Sequence, residues 1–223
     1  MNRYQDLIND IETLAKKAKR DPSDIKLLAV TKGMSLPTID LLYSQGARVF
    51  AENRIPEALL KQAQAPKDCR WHFIGALQSN KVSKVIGRFF LIHSIDSFSL
   101  AKKISAASAK ANVITSLLLQ VNTSHELSKR GMSPNECLND YLEIRNLPNI
   151  NVLGLMTMAP NTNDETVIRN CFSDLRNLRD QLNQLDPSLS PIKELSMGMS
   201  SDYPIAIEEG ATILRIGSLL FMD

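Results

Sequence analysis

Lys32 follows the apolar run Leu27-Leu28-Ala29-Val30-Thr31 and precedes Gly33. Side chains alternate faces along a strand, so Leu28, Val30 and Lys32 share one side. If Leu28 and Val30 fill an interior, Lys32 points into the mouth above them. An amine held among apolar walls is a nucleophile for a carbonyl. A surface lysine just past a strand end is the plainer reading of the same residue. Two later segments place glycine beside small hydroxyl residues. They are Leu195-Ser196-Met197-Gly198-Met199-Ser200-Ser201-Asp202 and Leu214-Arg215-Ile216-Gly217-Ser218. Glycine lets the backbone approach a ligand closely, and serine adds a hydroxyl donor. Taken together, with helix N-termini aimed at them, two such loops suit a phosphate. Taken singly, each is an ordinary turn.

These residues act together only if the elements carrying them are neighbours. Eight short apolar runs suit strands: Lys26–Thr31, Arg48–Glu52, Trp71–Ile74, Phe90–Ile95, Ile114–Val121, Val152–Thr157, Lys193–Met197 and Thr212–Ile216. Several are apolar on both faces, as strands covered by helices are. Helical patterns lie between them at Leu36–Gln45, Pro56–Gln64, Asn80–Ile86, Ser97–Lys110, Pro134–Arg145, Asp164–Leu185 and Tyr203–Glu209. An extra N-terminal helix is predicted over Arg3–Arg20, stopped by Asp21-Pro22. Residues 26–220 divide into eight units of about 24 residues, which predicts a compact single (β/α)8 TIM barrel. A doubly wound open sheet is the rival, and the lack of a GxGxxG motif counts against it. No linker or repeat divides the chain, so residues 1–223 are expected to form one domain.

In a barrel, strand eight lies beside strand one, which brings the two glycine–serine loops next to Lys32. An amine beside a phosphate cradle suits a phosphorylated aldehyde held as a Schiff base. Pyridoxal 5′-phosphate fits that description, and so does a sugar-phosphate substrate of an aldolase. Arg215 shares a strand face with Gly217 and would point inward. A charge there is costly unless it is paired or touches a ligand. Facing a pyridine nitrogen, it would oppose protonation and weaken the ring as an electron sink. An ion pair on the barrel rim is the alternative. Asn53, ending Phe50-Ala51-Glu52-Asn53, is either a donor to a ring oxygen or a helix N-cap. His72, in Trp71-His72-Phe73-Ile74-Gly75, either lines the mouth or is a satisfied core residue. Met156 suits packing.

Composition narrows the classes. The 223 residues carry 26 Lys and Arg against 24 Asp and Glu, a net charge of +2 that gives no case for nucleic acid or an anionic membrane. Three cysteines (Cys69, Cys137 and Cys171) form no CxxC, and the three histidines have no metal-ligand spacing. No apolar run reaches the ~18 residues of a membrane span, and Met1–Leu14 has no secretory h-region. A cytoplasmic protein without metal is expected.

The motifs, taken in chain order, resemble the pyridoxal phosphate homeostasis proteins, which look like the barrel domain of bacterial alanine racemase standing alone. The matching segments are Leu28–Lys32, Phe50–Asn53, Trp71–Gly75 with Leu77-Gln78-Ser79-Asn80-Lys81, Gly154–Met158, Leu195–Ser200 with Asp202, and Arg215–Gly217. The resemblance implies pyridoxal phosphate binding of fold type III. Lys32 matches the Schiff-base lysine. Ser200, Gly217 and Ser218 match the phosphate positions, and Arg215 matches the arginine beside the pyridine nitrogen. Asn53, His72 and Met156 match positions lining the pocket. Ala51 stands where glycine is usual, and Ser218 where threonine is common.

The resemblance also implies a role in handling the cofactor, with links to amino-acid and keto-acid balance, rather than robust turnover. A racemase needs two acid–base groups, one on each face of the substrate carbon. In alanine racemase a second domain supplies one of them across a dimer, and no segment after strand eight would build such a domain here. No catalytic residue is therefore assigned. The expected partners are pyridoxal phosphate and, transiently, apo-enzymes that receive it, with the protein itself a monomer. A weak amino-acid racemase and a sugar-phosphate aldolase remain the rival readings. The segment around His125–Met132 is expected to form a loop at the mouth.

Overall fold

Eight parallel strands close into a barrel in the computed structural model, which describes residues 2–124, 126 and 129–221. The strands are β1 Lys26–Val30, β2 Val49–Glu52, β3 Arg70–Phe73, β4 Leu91–Ile95, β5 Thr115–Gln120, β6 Ile150–Met156, β7 Glu194–Ser196 and β8 Ile213–Ile216. Each pairs with the next, and β8 pairs with β1 through Lys26↔Ile213, Leu27↔Leu214, Leu28↔Arg215 and Ala29↔Ile216. All eight predicted runs are strands, so the architecture is the (β/α)8 barrel and not the open sheet. Around it lie α1 Arg3–Lys17, α2 Leu36–Ser44, α3 Ile55–Gln64, α4 Phe98–Lys110, α5 Pro134–Arg145, α6 Glu165–Leu185, α7 Tyr203–Glu208 and α8 Ser218–Phe221.

Local sequence explains where the helices begin and end. On α1, Leu7, Ile11 and Ala15 recur four residues apart and are buried. The helix stops before Asp21-Pro22 because Lys19 takes a left-handed φ of 57°. Arg20 N then donates to Ala15 O and Lys19 N to Lys16 O, which satisfies the last carbonyls. A capping box of Ser133 and Glu136 starts α5, and Asp164 caps α6 through the N–H groups of Thr166 and Val167. The pattern at Asn80–Ile86 forms a 3-10 helix over Ser79–Lys84 instead of an α-helix. Val82 is buried on it, and Val85, which caps its C-terminus, donates its N–H to Val82 O three residues back. Among the described residues, no helix is long and apolar enough to cross a membrane.

Two apolar layers follow from strand alternation. Leu27, Ala29 and Leu214 pack outward under the helices, while Leu28, Val30, Ala51, Leu91, Leu118, Met156 and Ile213 fill the barrel. Two irregularities modify the alternation. Between β5 and β6 the register passes from Leu117↔Val152 to Leu118↔Gly154, leaving Leu153 as an extra residue. Val152 faces the helices and strict alternation would send Met156 the same way. The extra residue turns Met156 inward. A similar shift on β4 sends both Ile92 and Ile95 outward.

Gly154 is the tightest point of that bulge. A Cβ there would lie 1.9 Å from the Glu194 carbonyl oxygen on β7, and neither backbone can yield cheaply. Gly154→Ala is expected to cost about 3 kcal/mol or more in a urea melt. A loss under about 1 kcal/mol would show that the β6–β7 contact is looser than described.

Candidate functional site

The C-terminal ends of the strands surround a pocket of about 550 Å³, within the usual size for a small-molecule site. On one side, β1 ends at Val30 and the chain turns at Thr31–Met34. Met34 N donates to Thr31 O at 2.9 Å, and Gly33 takes φ +74°. A positive φ at the third position of a β-turn favours glycine. Lys32 occupies the corner of this turn and lines the pocket with Val30. It is exposed rather than walled by apolar side chains, because the turn lifts it above the Leu28–Val30 layer.

Two strands round the barrel from the turn, the loop after β7 is held tightly. Gly198 takes φ +91°, and a Cβ there would lie 2.6 Å from that of Ala206. Met199 N donates to the carboxylate of buried Asp202, while Asp202 N and Tyr203 N donate to Met199 O. Burial raises the Asp202 carboxyl above its ordinary value, opposed by the Met199 N–H and by the charge of Arg215. The loop presents Ser200 and Ser201 to the pocket. Gly217 and Ser218 follow β8 and line it as well. The short α8 starts at Ser218, and Leu219 N approaches Ser200 Oγ at 3.5 Å, tying the two loops together.

Arg215 is 4% exposed and lies on the pocket lining. Its guanidinium donates to Ser196 O at 2.6 Å, Ser196 Oγ at 2.8 Å and Thr157 O at 2.7 Å. Burial lowers its pKa to about 10, against an opposing effect of Asp202, so it keeps its charge at neutral pH. Two carbonyls and a hydroxyl hold it inside the barrel, instead of an ion pair on the rim. Asn53 lines the pocket too. Arg54 takes the N-cap position of α3, and the buried Asn53 Oδ1 has no hydrogen-bond partner among the described residues.

The structure therefore brings Lys32, Asn53, Met156, Ser200, Arg215, Gly217 and Ser218 to one pocket. His72 is not on that lining. It is 4% exposed inside the barrel, where Nδ1 meets His93 Nε2 at 2.9 Å. His93 Nδ1 meets Ser196 Oγ at 2.9 Å, so the chain of contacts ends at Arg215. Burial lowers the His72 pKa to about 3, helped by Lys26 and Arg70, which begin β1 and β3 at the other end of the barrel. The satisfied-core reading of His72 thus describes its position. Ile74, Gly75, Ala76, Met158, Met199 and Ser201 complete the lining. All directly follow strands, and that position was the available signal. In the mouth segment, His125, Leu127 and Ser128 lie outside the described residues, as do Met222 and Asp223 at the end of the chain. Lys129 is described and donates to Ala159 O.

Comparison with known proteins agrees with this architecture. The alanine racemase N-terminal domain family matches residues 4–223. The chain is 40% identical over 220 residues to a pyridoxal phosphate homeostasis protein of Aquifex aeolicus, covering 98% of this chain and 96% of that protein. The chain belongs to the alanine racemase N-terminal domain family. Among solved structures, PipY of Synechococcus elongatus with pyridoxal phosphate bound is 36% identical, with a TM-score of 0.83 over 95% of this chain and 99% of that one. An alanine racemase of Clostridium difficile is 15% identical, with a TM-score of 0.77 over 97% of this chain and 56% of that one. That likeness carries the fold alone.

In this member of the family, the buried histidines make stability depend on pH. Burial first, then the neighbouring His72 ring and the charge of Arg215, hold His93 well below 6.5. Both rings stay neutral in the fold, whereas in the unfolded chain they protonate near pH 6.5. Their contribution is complete above that value and is lost as pH falls from about 6.5 toward 3. Each ring is expected to give a slope of up to about 1.4 kcal/mol per pH unit. Urea melts at about pH 7.5 and about pH 5.5 would measure it, with a shallower slope in His72→Gln. Equal slopes in the two proteins would mean that protons reach the His72 ring in the folded state.

Proposed function

We propose that this chain binds pyridoxal 5′-phosphate through Lys32 as a Schiff base and acts in homeostasis of that cofactor, without robust catalysis. The observation that carries the reading is the single pocket joining Lys32 to Ser200, Gly217, Ser218 and Arg215. The names of the Aquifex and Synechococcus relatives point the same way.

The lining fits the group. Gly217 has no left-handed φ, and a Cβ there would meet nothing closer than 3.4 Å. The fold does not demand glycine at this position, so its use suits a ligand approaching the backbone. Ser200 and Ser218 offer hydroxyls to a phosphate from two loops already tied together. Asn53 adds a buried amide oxygen lacking a partner among the described residues. When bound, the group supplies a reactive aldehyde and an aromatic ring able to accept electrons. Arg215 keeps a fixed positive charge on the pocket wall, which opposes protonation of a ring nitrogen facing it.

The side chains present support holding rather than turnover. Racemisation needs an acid–base group on each face of the reacting carbon. Among the described lining residues, Lys32 is the one amine, and none is Asp, Glu, His, Tyr or Cys. The others are apolar, hydroxyl, amide or guanidinium groups. Lys32 stands at an open mouth, which suits release of the aldehyde to apo-enzymes in transient contact. On this reading the 223 residues act as one domain, a cytoplasmic monomer.

Borohydride reduction of the protein mixed with pyridoxal phosphate, followed by peptide mapping, tests the lysine. A pyridoxyl group on Lys32 and a yellow protein are expected, with Lys32→Ala colourless. Wild-type protein that remains colourless would refute the reading. Slow racemisation is the rival, since the fold is shared with alanine racemase. Exchange of the amino-acid α-hydrogen in deuterated water should not exceed that of free cofactor. Faster exchange that disappears in Lys32→Ala would establish the racemase instead.

A further inference from the structure

A second lysine lies beneath the turn that carries Lys32 and does not reach the pocket. Lys61 projects from α3 and is 7% exposed, against Glu52 at the end of β2, which is fully buried. Its ammonium donates to Glu52 Oε1 and, at 2.7 Å, to the carbonyl oxygen of Thr31. Thr31 Oγ1 donates to the same carboxylate oxygen at 2.8 Å, and Thr31 N donates to Ala51 O at 3.0 Å. The Thr31 carbonyl is also the acceptor that closes the Thr31–Met34 turn through Met34 N. One buried ammonium therefore fixes the carbonyl from which the turn is built, and Lys32 is the next residue.

A buried ion pair is seldom the most stable filling for such a space. Apolar residues of similar volume often serve as well or better, because both ions lose their hydration. This pair also leaves Glu52 Oε2 without a hydrogen-bond partner among the described residues. What the charges supply that apolar side chains cannot is a directed donor to the Thr31 carbonyl. We propose that Lys61, paired with Glu52, is a positioning residue that sets the Thr31–Met34 turn so that the Lys32 amine faces the cofactor pocket. This inference rests on the assignment of Lys32 as the amine that takes pyridoxal phosphate.

Three variants separate positioning from simple support of the fold. Lys61→Met leaves a lone buried carboxylate, so its melting midpoint should fall. The double variant Glu52→Gln/Lys61→Met removes both charges and should recover much of that midpoint, yet it takes from the Thr31 carbonyl its lysine donor and leaves it only Met34 N. Its affinity for pyridoxal phosphate should be lower by about tenfold, the effect of roughly one lost hydrogen bond. The pH midpoint of its yellow absorption should also shift, a signature that support of the fold alone would not move. Gly33→Ala distorts the same turn without touching either charge, since nothing lies within 4 Å of the added Cβ. It should also lose affinity, and it carries the test if the double variant does not fold. Wild-type affinity and pH midpoint in a folded double variant would overturn the proposal, as would wild-type affinity in Gly33→Ala. Borohydride mapping of wild-type protein runs alongside. A missing Lys32 adduct there defeats the assignment of Lys32 itself. A normal adduct with unaltered variants defeats only the role of Lys61.

Discussion

The pairing of β8 with β1 is the constraint from which the site follows. Leu28 lies opposite Arg215, and Ala29 opposite Ile216. With that register set, the segments after both strands must emerge together at one end. The Lys32 turn and the Gly217-Ser218 step then line one pocket, although they are far apart in the chain. The loop after β7 joins them because Arg215 N donates to Gly198 O at 2.9 Å. An open sheet built from the same strands would leave Lys32 and Ser218 at opposite edges.

Closure also creates the difficulty of buried charge. Each ion taken out of water costs several kcal/mol even after relaxation. The chain meets this differently on the two sides of the sheet. Inside the barrel, Arg215 is neutralised only at a distance by Asp202 and is held by carbonyls and Ser196. Ser196 is backed in turn by His93 and His72, which burial keeps uncharged, so no further cation enters the interior. Outside the barrel, Lys61 meets a carboxylate directly. Among the described residues the inner cation has no anion in contact, and it lies on the pocket wall. The outer cation is spent on the backbone.

Much of this arrangement was legible in the sequence, because parallel strands buried on both faces stand out as apolar runs. All eight runs are strands, and the pocket lining includes Lys32, Asn53, Met156, Ser200, Arg215, Gly217 and Ser218. His72 lies off that lining, at the point where the rule of alternation is weakest. Alternation gives the face of the sheet but not the height within the barrel, and His72 lies inward yet below the mouth. Met156 lines the pocket only through the bulge at Leu153, which flips the parity of β6. Nothing local in Val152-Leu153-Gly154 marks that bulge except the glycine. Its need becomes visible only when the Glu194 carbonyl lies against it. Lys61 was hidden for a related reason. A lysine within a helix suits a solvated face, and only the packing of α3 on the ends of β1 and β2 turns it inward.

The two cations bear on the proposed function in opposite senses. Tethered at three acceptors, Arg215 cannot swing away from a ring bound in the pocket. Its charge would oppose ring protonation in every bound state, which limits how far the ring can stabilise a carbanion. Lys61 acts on the other partner, ordering the turn of an exposed lysine that would otherwise sample many orientations. Ordering an amine lowers the entropic cost of forming a bond to it, while leaving the ring a poor electron sink does nothing for later chemistry. A site that favours capture of an aldehyde and withholds the means to use it is suited to storage and delivery. The open mouth completes that argument, since an enzyme gains by excluding water from its reacting centre, whereas a carrier must let water or a recipient amine reach the bond that holds its cargo.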